Sequence, residues 1–134
     1  MAEKTKVRIG WALTGLFATF MLLASVTPKL LQLDVAREAL AVAGWNDRHL
    51  LLIGAIELAC LILYLIPRTA ILGAVLMMGL LGGAIASHLR VGSPMISHTL
   101  FGTYLGLIMW GGLWLRDPAL RALFPWRAAP NTQA

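Results

Sequence analysis

Cysteine and charged residues are both scarce in this sequence. Cys60 is the single cysteine among 134 residues, which excludes an intrachain disulfide framework and any metal cluster built from cysteines. Charged residues make up 13% of the chain, about half of the roughly 25% that is usual in soluble domains. Hydrophobic residues make up 59%, more than a soluble domain of this length could bury. The composition therefore indicates a membrane protein.

Acidic residues are scarcer still, with six against eleven basic ones. An excess of positive charge is typical of nucleic-acid-binding proteins, which carry it as a stripe with exposed aromatic residues. Here the basic residues lie between and beyond the apolar runs, as they do at the flanks of membrane spans. The sequence thus argues against nucleic acid as a partner and favours a lipid bilayer.

Four apolar segments without period-two alternation predict membrane helices rather than barrel strands. Each has roughly the length that crosses a hydrocarbon core of about 30 Å. Pro28, Pro67 and Pro118 follow three of them, where helices should end. We therefore predict one all-α domain, a polytopic bundle of four transmembrane helices. The predicted spans are residues 9–26, 50–66, 70–87 and 100–115.

The connection between the first two spans predicts a short amphipathic helix in an outer loop. Within residues 34–42, Asp34 can cap the helix and polar residues face water, and Gly44 then ends the helix. Trp45 follows, a residue type that favours the lipid headgroup region.

The distribution of Lys and Arg predicts the orientation. The side of the bundle with both termini and the Pro67 turn carries seven such residues, and the other side carries four. The positive-inside rule then places both termini in the cytoplasm. Cleavage of the first segment as a signal peptide is disfavoured, because "LASVTP" is a poor match to a small-x-small cleavage site.

Small residues at a spacing of four on the third and fourth helices predict faces where backbones approach closely. A simpler explanation is that glycine is common in membrane helices. The residues of these faces are Gly79, Gly83, Ser87, Gly102 and Gly106.

Glu57 is an ionisable residue inside the second apolar segment, where a charge costs about 2.5–3.5 kcal/mol on insertion scales. Tyr64 lies seven residues later on the same helix face. By depth, Glu57 can meet polar residues from the third and fourth helices in a pocket open to the outer side. The candidates for ligand binding or proton relay are Glu57, Tyr64, His88, Arg90, His98 and Tyr104.

Each candidate also has a purely structural interpretation. Glu57 can be a protonated hydrogen-bond donor, His88 and Arg90 are ordinary residues for a helix end, and His98 can be solvated in its loop. No pair of histidines has the i, i+4 spacing of a metal site, so no metal is predicted. A nucleophile–base motif and a nucleotide fingerprint are also missing, which leaves open whether the chain is an enzyme.

The sequence resembles the DoxX-like family of small membrane proteins in four motifs that occur in order. These are Glu57, "LIPRT" at 65–69, "GGAIASHLRVG" at 82–92 and "LWLRDPALRALFP" at 113–125, and the likeness continues upstream in "TPKLL" at 27–31 and in the pair Gly44-Trp45. The resemblance implies a four-helix bundle of the bacterial inner membrane. The family takes its name from a membrane subunit of a thiosulfate:quinone oxidoreductase, and other members are associated with membrane redox or sulfur-stress complexes.

The predicted function is that of an accessory subunit of a membrane redox system, which binds a small hydrophobic, quinone-like molecule in the outward-facing pocket. Glu57 and His88 would bond the ligand or relay protons, and Arg90 would hold the carboxylate or an anionic substrate. No cofactor other than a quinone is suggested. The alternatives are a non-enzymatic scaffold or assembly partner and a small transporter formed by oligomerisation, most simply as a homodimer.

Overall fold

The computed structural model of the chain describes residues 2–127 and residue 129, and all regular structure in those residues is helical. The α-helices of this part are α1 (Glu3–Phe20), α2 (Thr27–Leu30), α3 (Asp34–Val42), α4 (Leu50–Leu65), α5 (Ala70–Val91), α6 (Phe101–Arg116) and α7 (Pro118–Leu123). Three shorter segments complete the set, namely π-helical turns at Met21–Val26 and Met95–Thr99 and a 3-10 turn at Asp47–His49.

Three helical stretches in the described residues are long and apolar enough to cross a membrane. They are Glu3–Leu30, Asp47–Leu65 and Ala70–Val91. The fourth predicted segment is present as helix α6, which has 16 residues and is therefore about 24 Å long. That α6 also spans the bilayer remains a prediction.

The first helical stretch differs from its predicted bounds at both ends, because it begins at Glu3, six residues before residue 9, and continues through Pro28. The π-helical turn ends at Val26, and Pro28 lies directly after it in the first turn of α2. The stretch ends at Leu30, and Gln32 follows with a φ of 52° in the left-handed region. This extension carries Lys29 along the side of α4.

Helices α1 and α6 pack antiparallel over most of their length. Near one end, a Cβ on Gly10 would lie 2.6 Å from the backbone N of Arg116. Near the other end, the rings of Phe20 and Phe101 meet edge to face with centroids 5.7 Å apart. Glycine at position 10 therefore permits a backbone approach that no larger residue would allow.

Helices α4 and α5 form the predicted antiparallel hairpin. The chain turns between Leu65 and Ala70, and Thr69 Oγ1 donates to the carbonyl of Leu63 at 2.8 Å. Helix α5 continues to Val91, four residues beyond its predicted end, and stops at Gly92, whose φ is 73°.

The bundle has two distinct ends. The terminal end carries Glu3, the 66–69 turn and the end of α6, and an ion pair joins Glu3 to Arg121 there. The loop end carries α2, α3 and the connection after α5. Helix α3 has its predicted bounds, and its position on a membrane surface remains a prediction. The core between the ends is apolar and includes Phe17, Met21, Tyr64, Met77, Met109 and Leu113.

Candidate functional site

Glu57 of α4 forms an ion pair with Lys29 of α2. The Lys29 Nζ donates to Glu57 Oε2 at 2.9 Å. Glu57 is buried, with 4% of its surface exposed, whereas 19% of the Lys29 side chain is exposed. The pair therefore has one buried partner and one partner that reaches the edge of the bundle.

Ser25 supplies further acceptors for the lysine. Its hydroxyl accepts a hydrogen bond from Lys29 Nζ at 2.6 Å, and its carbonyl oxygen lies 3.4 Å from the same nitrogen. Ser25 and Lys29 are four residues apart, which places them on the same helix face. The serine therefore holds the ammonium group directly against the carboxylate of Glu57.

Gly54 makes room for this contact. It lies one helical turn before Glu57, and a Cβ at this position would lie only 2.8 Å from the Cβ of Lys29. Any larger residue would push α2 away from α4 and lengthen the ion pair. The glycine thus positions the lysine rather than loosening the helix.

The second oxygen of Glu57 is unsatisfied. Oε1 is buried and has no hydrogen-bond partner among the described residues. An unsatisfied buried polar atom costs about 1–3 kcal/mol, and more when it carries charge. The site therefore presents a free acceptor beside a lysine, and a ligand with a donor group could satisfy it.

The other predicted pocket residues at the loop end bond to different partners. His88 Nδ1 lies 2.9 Å from Ser93 Oγ, and the rings of His88 and His98 meet edge to face at 5.8 Å. Tyr104 donates to the carbonyl of Ile96 at 2.9 Å. The two histidines are thus neighbours, but among the described residues Glu57 is hydrogen-bonded to Lys29 alone.

Arg90 and Ser87 bond to the loop that precedes α4. Arg90 Nη2 donates to the carbonyl of Gly44 at 3.4 Å, and its guanidinium lies 5.9 Å from the ring centre of Trp45. The Trp45 indole N–H donates to Ser87 Oγ at 2.8 Å. These residues hold the loop against the end of α5. Neither Arg90 nor Ser87 bonds to Glu57, whose side chain bonds to Lys29.

Tyr64 belongs to the terminal end rather than to the Glu57 site. Seven residues of helix separate the two, about 10 Å along the axis. The Tyr64 hydroxyl donates to the carbonyl of Met109 at 2.7 Å and lies 3.3 Å from Thr14 Oγ1. Its contacts join α4 to α6 and α1.

The predicted glycine faces divide into two groups. A Cβ on Gly102 would lie 3.0 Å from Ile85, and one on Gly106 would lie 2.8 Å from the sulfur of Met78, so both residues lie in close contacts between α5 and α6. A Cβ on Gly79 or Gly83 would meet no described atom within 4 Å. Within the described chain, the face with Gly79 and Gly83 is open.

The sequence alone does not predict Lys29 and Ser25 as site residues, because Pro28 indicates an end of the first helix before Lys29. Two signals pointed to them. Lys29 belongs to the "TPKLL" motif, and its spacing of four from Ser25 is helical.

Comparison with known proteins identifies the family. The model of the DoxX-like family matches residues 12–112, about three quarters of the chain. The chain belongs to the DoxX-like family. No curated protein and no solved structure matches this DoxX-like protein. The match includes both Lys29 and Glu57, and together with the apolar helices it indicates a helical membrane protein.

Proposed function

We propose that this DoxX-like protein binds a quinone-like molecule at the Lys29–Glu57 pair and serves as an accessory subunit of a membrane redox system. The observation that supports this proposal is the free, buried Oε1 of Glu57 next to an ammonium group. A binding site typically combines an apolar surrounding with a few polar groups that orient the ligand.

The two forms of a quinone match the two members of the pair. A quinone carbonyl accepts hydrogen bonds, and an ammonium has three N–H donors. Among the described residues, Lys29 Nζ has two short bonds, to Ser25 Oγ and Glu57 Oε2, and its third acceptor, the Ser25 carbonyl, is 3.4 Å away. A hydroquinone hydroxyl donates hydrogen bonds, and Glu57 Oε1 lacks a donor. Both groups of the pair therefore have bonding capacity that the ligand would use.

Access to the pair is from the side of Lys29. Because part of this side chain is exposed at the edge of the bundle, a ligand dissolved in the bilayer would reach the ammonium first. Glu57 Oε1 is enclosed, so the ligand would reach it by displacing the lysine side chain. His88, Arg90, His98 and Tyr104 lie at the same end and would contact the ligand's exposed part.

The proposal includes a location and a partner. It assigns the protein to the bacterial inner membrane with the terminal end in the cytoplasm, in agreement with the seven basic residues at that end. The ligand would then bind near the outer surface. The electron-carrying cofactor would belong to a partner subunit, and this chain would hold the ligand for it.

A binding measurement on the purified protein tests the proposal. We expect decylubiquinone to quench tryptophan fluorescence with saturation, and we expect Glu57→Gln and Lys29→Met each to weaken its binding by about tenfold, the equivalent of one hydrogen bond to a charged group. Glu38→Gln, which alters an exposed acid of α3, is the matched control and should bind as the wild type does.

Mass spectrometry of protein purified from native membranes supplies the second measurement. A bound quinone or redox subunit is expected to copurify with the wild type and to be depleted in Glu57→Gln. Absence of saturable quenching, or equal affinity in wild type and Glu57→Gln, would rule out the quinone site.

A further inference from the structure

A cavity lies at the terminal end of the bundle, far from the Lys29–Glu57 pair. Its volume is about 180 Å³. The residues that line it come from α1, the 66–69 turn, the start of α5 and the end of α6 with its junction to α7. They are Trp11, Pro67, Ala70, Leu113, Arg116 and Asp117. Arg116 is the cation in this wall.

Arg116 is nine-tenths buried and lacks an acidic partner. Its exposed fraction is 8%, and no carboxylate oxygen in the described residues lies within 4.0 Å of its nitrogens. Nη2 donates to the carbonyl of Tyr64 at 2.8 Å, whereas Nε is buried without a partner. The guanidinium therefore has unused hydrogen-bonding capacity where water is largely excluded.

Aromatic rings hold the guanidinium in place without neutralising it. The Arg116 carbon Cζ lies 4.2 Å from the ring centre of Trp11 and 5.1 Å from that of Tyr64. Such contacts contribute about 0.5–2 kcal/mol, less than the several kcal/mol that removal of an ion from water costs. The positive charge is held in position, but no carboxylate of the described residues forms an ion pair with it.

Asp117 lines the same cavity but is engaged elsewhere. Its Oδ1 accepts hydrogen bonds from the backbone N–H of Ala119 at 3.0 Å and of Leu120 at 3.4 Å, so it caps α7. Its charge is directed to the N-terminus of that helix, where negative charge is stabilised. Asp117 therefore forms no ion pair with Arg116, although its negative charge lies in the cavity wall.

We propose that this cavity binds a phosphate group, with Arg116 as its main ligand. A guanidinium is planar, and its N–H donors can bond two phosphate oxygens at once. Here the rings of Trp11 and Tyr64 and the Tyr64 carbonyl already orient the Arg116 guanidinium. The phosphate belongs to an anionic phospholipid headgroup or to inorganic phosphate. The site is independent of the quinone proposal because it lies at the opposite end of the bundle.

Titration of the purified wild type with two probes tests this proposal, with the thermal unfolding midpoint as the signal. One probe is short-chain phosphatidylglycerol and the other is sodium phosphate. We expect at least one probe to bind more tightly than about 1 mM, and Arg116→Gln to weaken that binding at least tenfold. Arg68→Gln removes an exposed arginine from the same end and is the matched control, with unchanged affinity expected.

The pattern of binding identifies the source of the phosphate. Binding of the lipid without competition from phosphate indicates a headgroup site, and binding of phosphate indicates a site for the free anion. Asp117→Asn keeps the helix cap and removes a negative charge from the wall, so it should tighten binding severalfold even if Arg116→Gln does not fold. The proposal is wrong if neither probe binds, if Arg116→Gln binds as the wild type does, or if Asp117→Asn does not tighten binding.

Discussion

At the scale of single residues, the Lys29–Glu57 pair explains how an acid persists inside an apolar helix. Removal of either charge from water costs several kcal/mol, and the attraction between partners in a medium of low polarity offsets that cost only at close range. The 2.9 Å contact and the bond to Ser25 meet this condition for the lysine. For Glu57 only Oε2 has a close partner, because Oε1 has none in the described chain.

The pair predicts a specific pattern of mutational effects. Lys29→Met leaves the Glu57 carboxylate buried and unpaired, so it should lower the free energy of unfolding by about 3–5 kcal/mol, the usual effect of breaking a buried pair. The double variant Lys29→Met/Glu57→Gln contains no unpaired charge and should recover much of that loss. Reversible unfolding in mixed detergent micelles measures both changes.

The ion pair between Arg37 and Asp34 provides the control for that cycle. Both side chains are substantially exposed, so Arg37→Met should leave the free energy of unfolding almost unchanged. If the double variant is no more stable than Lys29→Met, the pair does not have the energetic role that its burial indicates.

At the scale of helices, close approach between backbones determines how the bundle is assembled. Helix α1 meets α6 at Gly10 and Gly112, where a Cβ on Gly112 would lie 3.0 Å from the backbone N of Thr14. Without water to drive association, membrane helices gain stability from such tight packing. The same contact brings Arg116 to Trp11, so it also forms the cavity of the terminal end.

Two glycines of α1 should respond oppositely to alanine. A Cβ on Gly10 would lie within 2.8 Å of backbone atoms of Arg116 and Gly112, so Gly10→Ala should destabilise the bundle by about 1–3 kcal/mol through overpacking. Gly15 has no described atom within 4 Å of its would-be Cβ, so Gly15→Ala should be neutral or stabilising by up to about 1 kcal/mol.

The unfolding midpoints of these two variants, measured in the same detergent, test the packing of α1 against α6. Equal midpoints would contradict this packing. Both variants replace a glycine of α1 by alanine, so only the surroundings of the new methyl group differ between them.

At the scale of the whole molecule, the Glu3–Arg121 pair and the loops define two opposite surfaces. The pair joins the start of α1 to α7, so both described ends of the chain lie at the terminal end with the 66–69 turn. Helix α3 and the connection after α5 lie at the loop end. The two proposed sites divide in the same way, with the quinone site near the loop end and the phosphate site at the terminal end.

Cysteine labelling tests this two-sided arrangement. Arg68→Cys and Glu38→Cys introduce thiols at exposed positions of opposite ends, whereas the native Cys60 is 4% exposed and should remain unreactive. With the terminal end in the cytoplasm, an impermeant maleimide should label Glu38→Cys in spheroplasts and Arg68→Cys only after lysis. Labelling of both variants from one side would contradict the arrangement, and the reversed pattern would contradict the orientation alone.

Hydropathy and spacing were sufficient for most of the helical framework. The turn between α4 and α5 and the bounds of α3, α4 and α6 agree with the sequence to within a residue or two, because apolar runs and turn residues act locally, whereas α5 continues four residues past its predicted end. The extension through Pro28 was not predictable in this way. A proline normally ends a helix, whereas here a π-helical turn directly precedes Pro28 and the helix continues to Leu30.

The sequence by itself determined that this is a helical membrane protein with a buried acid at position 57, because burial of apolar side chains and the cost of charge in lipid depend on composition and local order. Only the tertiary structure decided that Glu57 meets Lys29 rather than His88 or Arg90, and that Arg116 faces a cavity and forms no ion pair with a described residue. Both outcomes depend on how each helix is rotated about its axis. That rotation follows from contacts between residues distant in the chain, such as Gly54 with Lys29 and Gly10 with Arg116.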